Sequence, residues 1–259
     1  MGENSKISWT THTFNPWWGC TKVGGSPACD NCYAETWAKR TGFKIWGDDA
    51  GRRYFGDKHW REPLKWNAAA EKVGERARVF CASMGDWAEG RPEQVPELER
   101  LWTVWDMTPW LDKLMLTKRP QLINKLMPER FRPRPDIWQG ITTETQPWLD
   151  LRWKHLREVK ASVYWLSVEP MFEDLTLPQS FMDLGSRGWV ICGGESGSQA
   201  RPIDLKWVRN LRDQCRESGV RFHMKQMSGR TKAELEAIPE DVFIREYPHA
   251  ATIQESTRE

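Results

Sequence analysis

Short apolar, β-branched runs alternate with amphipathic helical stretches along most of this 259-residue chain, and no other feature constrains the fold as strongly. Strands that alternate with helices are typical of βα units, which pair into parallel sheets. We predict seven strands, at residues 10–15, 78–83, 113–117, 137–141, 163–168, 189–193 and 221–225.

The clearest predicted helices carry start and stop signals. Pro96 opens a stretch with apolar residues at helical spacing, and Pro109 closes it. Pro147 opens a second helix. A third is predicted to begin after Asp204 as N-cap and to end at Gly219. These helices lie between predicted strands, as crossover connections require.

Parallel crossovers are right-handed, so seven such units predict an α/β fold, a partial (β/α) TIM-type barrel of about six to seven parallel strands. We expect the barrel to occupy residues 1–227. Residues 41–77 interrupt the alternation of strands and helices, because they contain glycines and charges of both signs. They are predicted to be an insertion. Residues 228–259 are predicted to be a polar C-terminal appendage, which is partly ordered.

Three of the six cysteines lie close together, with the spacing C-x8-C-x2-C at Cys20, Cys29 and Cys32. Gly24, Gly25 and Pro27 allow the loop between them to fold back, which would bring three thiolates to one point. Three thiolates can hold an iron–sulfur cluster and leave one iron open to a substrate or cofactor.

Zinc is the alternative metal, and it needs four protein ligands at a structural site. His12, His59 or Cys81 could supply the fourth ligand. The loop would then stiffen a nucleic-acid-binding module without catalysis. Cys81, Cys192 and Cys215 lie in apolar segments and are otherwise predicted to be small buried residues, as are most of the 17 tryptophans.

Several sequence blocks occur in a fixed order over about residues 8–227: FNPWWGCTKVGGSPACDNCYAE, VFCASMGD, LMLTKRP, LSVEP, VICGGESG with ARP following, and FHMKQ. By these blocks the chain resembles a phage- and bacteria-associated radical SAM-like family of unassigned function (DUF5131-like). It is more distantly similar to spore photoproduct lyase. One departure is the first cysteine gap, because most radical SAM enzymes carry C-x3-C-x2-C.

The resemblance implies a [4Fe-4S] cluster and S-adenosyl-L-methionine (SAM) as cofactors. It implies cleavage of SAM to a 5′-deoxyadenosyl radical that abstracts hydrogen from a substrate, with an external one-electron donor. A nucleobase or nucleotide is the favoured substrate, such as a modified pyrimidine in phage DNA. If the substrate is polymeric, the insertion could line its path with Arg52, Arg53, Tyr54, Lys58 and Trp60.

Catalytic groups of parallel barrels gather at the C-terminal ends of the strands, so the residues after each predicted strand are the candidate site. By the resemblance, Met84, Gly85 and Asp86 would hold the methionyl amino group of SAM, with Asp86 as its carboxylate partner. The ribose hydroxyls are assigned to Thr143, Glu144 and Glu169.

Further site residues complete this prediction. Gly193 and Gly194 would let the adenosyl group or the substrate approach the backbone closely. Tyr33 follows the last cysteine of the loop and is included among the cofactor-binding residues. Glu195 and Lys225 are the candidate catalytic residues. A basic rim suited to phosphate is predicted from Lys118, Arg119, Arg201, Lys206, Arg209, Lys225 and Arg230.

Net charge and hydropathy limit which classes of partner the chain can have. Lys plus Arg number 38 against 36 Asp plus Glu, so the net charge of +2 gives no global attraction to nucleic acid or to a membrane. The N-terminal residues contain no apolar run of signal-peptide length, and no stretch approaches the length of a membrane helix. We therefore expect a cytoplasmic protein.

Overall fold

A computed structural model of the chain describes residues 2–248. Its centre is one sheet of seven parallel strands whose spatial order follows the sequence, so that β1 and β7 are the edges. The sheet curls into a half-barrel, which confirms the predicted fold class. Its strands are β1 His12–Thr13, β2 Ala77–Cys81, β3 Leu111–Thr117, β4 Ile137–Thr142, β5 Val163–Val168, β6 Gly188–Gly193 and β7 Arg221–Gln226.

The nine α-helices of residues 2–248 include the three that the proline, N-cap and C-terminal glycine signals predict. Asp204 caps the N-terminus of the long eighth helix by accepting a hydrogen bond from the Lys206 amide, and Gly219 ends it in the left-handed conformation. The helices are α1 Tyr33–Arg40, α2 Asp57–Trp60, α3 Glu62–Val73, α4 Val95–Asp106, α5 Ile123–Leu126, α6 Gln146–Leu156, α7 Gln179–Met182, α8 Leu205–Ser218 and α9 Lys232–Glu236.

Strand β1 is shorter than the six residues predicted for it. Beyond His12–Thr13, the Asn15 side chain turns to accept a hydrogen bond from the Met84 amide at 2.6 Å and to donate one to the Ser83 hydroxyl at 3.1 Å. The chain therefore leaves the sheet edge to begin the cysteine loop, residues 20–32. A polar side chain at the end of an edge strand stops the ladder early.

Eleven of the 17 tryptophans are buried, which confirms their predicted role in the core. The concave face of the sheet carries Trp9, Phe80, Leu114, Trp138, Trp165 and Trp189 as one apolar cluster. Gly140 permits this packing, because a Cβ atom there would lie 2.1 Å from the Trp165 ring. The helices cover the other face with the larger core cluster.

The segments around Ser8 and Tyr247 meet across the open side of the half-barrel. The Tyr247 hydroxyl donates to the Ser8 carbonyl at 2.9 Å, and the Ser8 hydroxyl lies 2.9 Å from His223 Nε2 on β7. Arg245 forms an antiparallel bridge with His223. Residues 228–248, predicted to be an appendage, thus pack against the edge of the barrel, while residues 249–259 lie outside the described residues.

The segment predicted as an insertion, 41–77, contains α2 and α3. Helix α3 buries Trp66 and Ala70 and lies against β2 and β3, so it supplies part of the barrel's helical layer. Within residues 2–248 we find no helix that is both long and apolar enough to cross a membrane.

Candidate functional site

A cavity of about 800 Å³ lies at the C-terminal ends of the strands, and residues 6–9 and several residues between 232 and 245 also line it. Residues at or just after the C-terminal ends of six of the seven strands line it, together with the cysteine loop. The strand-end lining is Ser83, Gly85, Asp86, Thr117, Lys118, Arg119, Thr142, Ser167, Glu169, Gly194, Glu195, Ser196, Lys225 and Gln226. This arrangement is the one expected for the catalytic face of a parallel barrel.

All three cysteines of the loop line this cavity. Cys20, Cys29 and Cys32 are partly exposed, whereas Cys81, Cys192 and Cys215 are buried, as predicted. The Cys20 sulfur lies 3.1 Å from the Thr21 carbonyl and 3.9 Å from the Arg119 guanidinium. Burial, and after it the Asp86 carboxylate, raises the pKa of the Cys20 thiol to about 12. Metal binding there must displace a proton.

The convergence of three ligands on one ion is not observed. Among residues 2–248, no three His, Cys, Asp or Glu side chains are arranged to hold a metal ion. A cubane cluster does not require the three sulfur atoms to meet at one ion, because each thiolate ligates a different iron. Three partly exposed thiols around one cavity match that donor set.

The predicted fourth ligands for zinc lie elsewhere. The His12 ring stacks on Trp66, and its Nδ1 accepts a hydrogen bond from the Asn4 amide at 3.2 Å. The His59 ring stacks on Phe14, and its Nε2 lies 2.8 Å from the Asn15 carbonyl. Neither histidine lines the cavity, and Cys81 is fully buried in β2. The structure therefore does not support a four-ligand zinc site at the loop.

Four acid–arginine pairs hold the cysteine loop. The first is formed by Asp86 and Arg119, which are 2.7 Å apart and largely buried. Arg119 also donates to the Thr21 carbonyl at 2.6 Å. The remaining Asp86 contacts are the Thr117 hydroxyl at 2.6 Å and the backbone amides of Ala88 and Lys118. Asp86 thus positions the guanidinium that contacts the first cysteine.

The second pair, Arg52 and Glu89, is also buried, with its closest atoms 2.5 Å apart. Both members contact Thr21: the Glu89 carboxylate accepts from its amide at 2.7 Å, and Arg52 donates to its hydroxyl at 3.0 Å. Burial alone would raise the pKa of Glu89, but Arg52 and Gln94 outweigh it and hold the pKa below its usual value. The residue after Cys20 is therefore fixed from two sides.

The third and fourth pairs hold the middle of the loop. Glu144 pairs with Arg152 at 2.6 Å and accepts a hydrogen bond from the Ser26 hydroxyl. Glu195 pairs with Arg201 at 2.6 Å, and Arg201 donates to the Pro27 carbonyl at 2.8 Å. The pKa values of both glutamates are lowered, because hydrogen bonds and arginine charges outweigh the effect of burial.

One further ion pair lies on the cavity wall. Lys225 Nζ is 2.8 Å from Glu169 Oε1, which joins the ends of β7 and β5 across β6. Close by in the lining, the Tyr33 ring is half-exposed and its hydroxyl donates to the Ser83 carbonyl at 2.6 Å. The ion pair and the Tyr33 ring both line the cavity, although their polar atoms already have partners in the protein.

Comparison with known proteins decides the family. The model of the family described as "Protein of unknown function (DUF5131)" matches residues 4–253, nearly the whole chain. The chain belongs to the DUF5131 family. No curated protein sequence matches this DUF5131 protein.

Solved structures of spore photoproduct lyase are similar to this DUF5131 protein in fold. One, complexed with dinucleoside spore photoproduct, has a TM-score of 0.58 at 13% identity and covers 86% of this chain and 79% of its own. Another is a double mutant with bound AdoMet and dinucleoside spore photoproduct, with a TM-score of 0.56 at 11% identity and coverages of 86% and 78%. At these identities the similarity shows a shared fold, the half-barrel of parallel strands.

The predicted cofactor-binding residues of the DUF5131 protein fall into two groups. Those that line the cavity are Tyr33, Gly85, Asp86, Glu169 and Gly194, and the two candidate catalytic residues Glu195 and Lys225 line it as well. Those that do not are Met84, Thr143, Glu144 and Gly193.

Packing explains the second group. Met84 is buried in a small apolar cluster with Ala34, Ala38 and Ile45. Thr143 and Glu144 have no exposed surface, and Glu144 is engaged by Arg152. The glycine pair makes room for protein atoms: a Cβ on Gly193 would lie 2.7 Å from Glu169 Oε1, and one on Gly194 would lie 2.3 Å from the Ser228 amide.

The structure also corrects the predicted basic surfaces. In the insertion, Arg52 and Trp60 are buried, so neither can line a path for a polymer. In the predicted rim, Arg119, Arg201, Arg209 and Lys225 each pair with a carboxylate. Most of the rim charge is therefore neutralised locally.

Sequence reasoning missed the loop-holding role of Arg52, Glu89 and Arg152. One signal was available for Arg152, which shares the buried face of α6 with Leu149, Trp153 and Leu156. An arginine on an apolar helix face needs a buried partner, because an unpaired buried charge is costly.

Proposed function

We propose that this DUF5131 protein is a radical SAM enzyme in which Cys20, Cys29 and Cys32 hold a [4Fe-4S] cluster. One observation carries the proposal: the three partly exposed thiols of the chain line the cavity at the strand ends of a half-barrel shared with spore photoproduct lyase. The other three cysteines are buried and do not line the cavity, so they cannot serve as cluster ligands there.

The groups accessible in the cavity fit SAM as the second cofactor. The Gly85 and Gly194 backbones, the Tyr33 ring and the Glu169 carboxylate offer polar and apolar contacts near the cysteines. When bound, the cluster and SAM supply an electron and a 5′-deoxyadenosyl radical that abstracts hydrogen from the substrate. An external donor must provide the electron.

The protein's own residues would bind, orient and shield the reactants. Lys225 and Glu169 form a polar pair in the cavity wall, where they can position a substrate by hydrogen bonds. Lys225 remains our candidate catalytic residue. Glu195 has both carboxylate oxygens engaged by Arg201, so we assign it a positioning role on the cysteine loop.

For the substrate we favour a nucleobase or nucleotide, such as a modified pyrimidine in phage DNA. Support comes from the spore photoproduct lyase structures, which hold a dinucleoside spore photoproduct within the same fold. The step from fold to substrate is an analogy. The alternative, a zinc-stabilised nucleic-acid-binding module without catalysis, is tested by the same experiment.

Anaerobic reconstitution with iron and sulfide tests the cluster. We expect the wild-type chain to become brown and to hold about four irons. Cys29→Ala should lose this iron, whereas Cys215→Ala, a matched change at a buried cysteine, should retain it. A colourless protein with one zinc, or equal iron loss in Cys215→Ala, would refute the cysteine assignment.

A further inference from the structure

The cavity is lined by the cysteine loop and also by residues from the N-terminal and C-terminal segments. Lys6, Ile7 and Ser8 come from the first of these segments, and Phe243 and Arg245 come from the second. We call these five residues the terminal arm. The two segments meet where the Tyr247 hydroxyl donates to the Ser8 carbonyl.

The terminal arm carries two positive charges that no carboxylate in residues 2–248 neutralises in an ion pair. Neither Lys6 nor Arg245 forms an ion pair with any residue in 2–248, and both side chains are exposed. At the cysteine end, Arg119 and Lys225 are paired with Asp86 and Glu169, and of the lining cations there only Lys118 has no ion pair within residues 2–248. An anionic ligand in the terminal arm would not have to displace a carboxylate from Lys6 or Arg245.

An aromatic ring accompanies the two cations. Phe243 is half-exposed, and the Arg245 guanidinium lies over its ring at 4.6 Å. Stacking on the ring restrains the guanidinium while its N–H groups stay available to acceptors. Arginine binds phosphate oxygens through two parallel hydrogen bonds, and lysine adds a point charge.

The size of the cavity fits two ligands. Small-molecule sites begin at about 300 Å³, so the 800 Å³ that the cysteine end and the terminal arm share is enough for two small ligands. A cofactor beside the cysteines leaves the arm for part of a substrate.

From these observations we infer that the terminal arm is a phosphate subsite, in which Lys6 and Arg245 bind the phosphate group of a nucleotide substrate. The inference deepens the proposed function and rests on it for the reaction. It identifies the substrate as a phosphorylated nucleoside and gives the predicted appendage a binding role.

Calorimetric titration tests the subsite with thymidine 5′-monophosphate, thymidine and a ten-residue thymidine oligonucleotide as probes. We expect the full-length chain to bind the monophosphate about tenfold or more tightly than thymidine, since charge-assisted hydrogen bonds have that strength. Lys6→Gln and Arg245→Gln should each reduce this preference, and the double variant should abolish it. Arg209→Gln, the same change at an arginine paired with Asp241 outside the cavity, should leave it intact.

The outcomes separate the subsite from the proposed reaction. Equal affinity for thymidine and its monophosphate, or a preference unchanged in the double variant, would overturn the subsite even if the chain holds iron. A preference that depends on Lys6 and Arg245 would support it even in a chain without a cluster. If only the oligonucleotide shows this dependence, the bound phosphate belongs to a DNA strand.

Discussion

At the residue scale, the side chains nearest the cysteines are held by partners that are remote in sequence. Arg119 and Thr21 are 98 positions apart, and Ser26 and Arg152 are 126 positions apart. No local pattern connects such residues. The sequence could therefore predict that Asp86 lies at the site but not that its carboxylate is already engaged by Arg119.

This engagement changes the expected effect of substituting Asp86. Asp86→Asn removes the charge opposite Arg119 in a largely buried pair, so the free energy of unfolding should fall by about 2 kcal/mol or more. Iron retention should fall too, because Arg119 contacts Thr21 and Cys20. Urea unfolding and iron assays measure both effects.

Asp112→Asn is the matched control for this substitution, because it breaks a pair with Arg76 at the opposite end of β3. We expect it to retain iron. Normal stability and iron content in Asp86→Asn, together with SAM affinity reduced about ten- to hundredfold, would instead make Asp86 a direct ligand of the SAM ammonium.

At the element scale, the strands were the most predictable part of the molecule. Strands buried in a parallel sheet form apolar runs, and each run here is set off by polar strand-end residues or helix signals. All seven predicted strands are present in one parallel sheet. Helix α3 was harder to predict, because its buried face includes Pro63 and Asn67 as well as Trp66 and Ala70 and lacks a simple apolar stripe.

The ion pair between Glu144 and Arg152, which links α6 to the cysteine loop, is predicted to make the stability of the fold depend on pH. Glu144 has a lowered pKa in the folded chain, so its pairing stabilises the fold fully above the unfolded glutamate pKa of about 4.3. That stabilisation is lost as the pH falls through the lower, folded value. Wild type should melt at a higher temperature than Glu144→Gln at pH 7, and the difference should shrink below about pH 4.

Thermal melts of both proteins between pH 3 and pH 7 measure this difference. Glu158→Gln changes an exposed glutamate just beyond the end of α6 and should match wild type at every pH. A gap between wild type and Glu144→Gln that stays constant or widens on acidification would show that Glu144 does not stabilise the loop through its charge.

At the scale of the whole molecule, the segments around Ser8 and Tyr247 complete the half-barrel. The Tyr247 ring packs against Trp189 and His223 and carries the Arg78 guanidinium at 4.0 Å. The polar composition of residues 228–259 gave no sign of this role, because single aromatic residues make the contacts. Closure of the open side depends on contacts between residues more than 200 positions apart.

Substitution of Tyr247 measures this closure. Tyr247→Phe loses the hydrogen bond to Ser8 and should cost about 1 kcal/mol, whereas Tyr247→Ala also loses the ring packing and should cost about 2–4 kcal/mol. Urea unfolding gives both values. If the two variants were as stable as wild type, the chain ends would contribute nothing to the barrel.

The most direct test of the account is the formation of 5′-deoxyadenosine by the intact, reconstituted chain. Incubated anaerobically with SAM and dithionite, the wild-type protein should convert SAM to methionine and 5′-deoxyadenosine, which chromatography with mass spectrometry quantifies. Cys29→Ala should form none, and Cys215→Ala should match wild type. A chain that holds its iron–sulfur cluster but forms no 5′-deoxyadenosine above the dithionite-free control would contradict the assignment as a radical SAM enzyme.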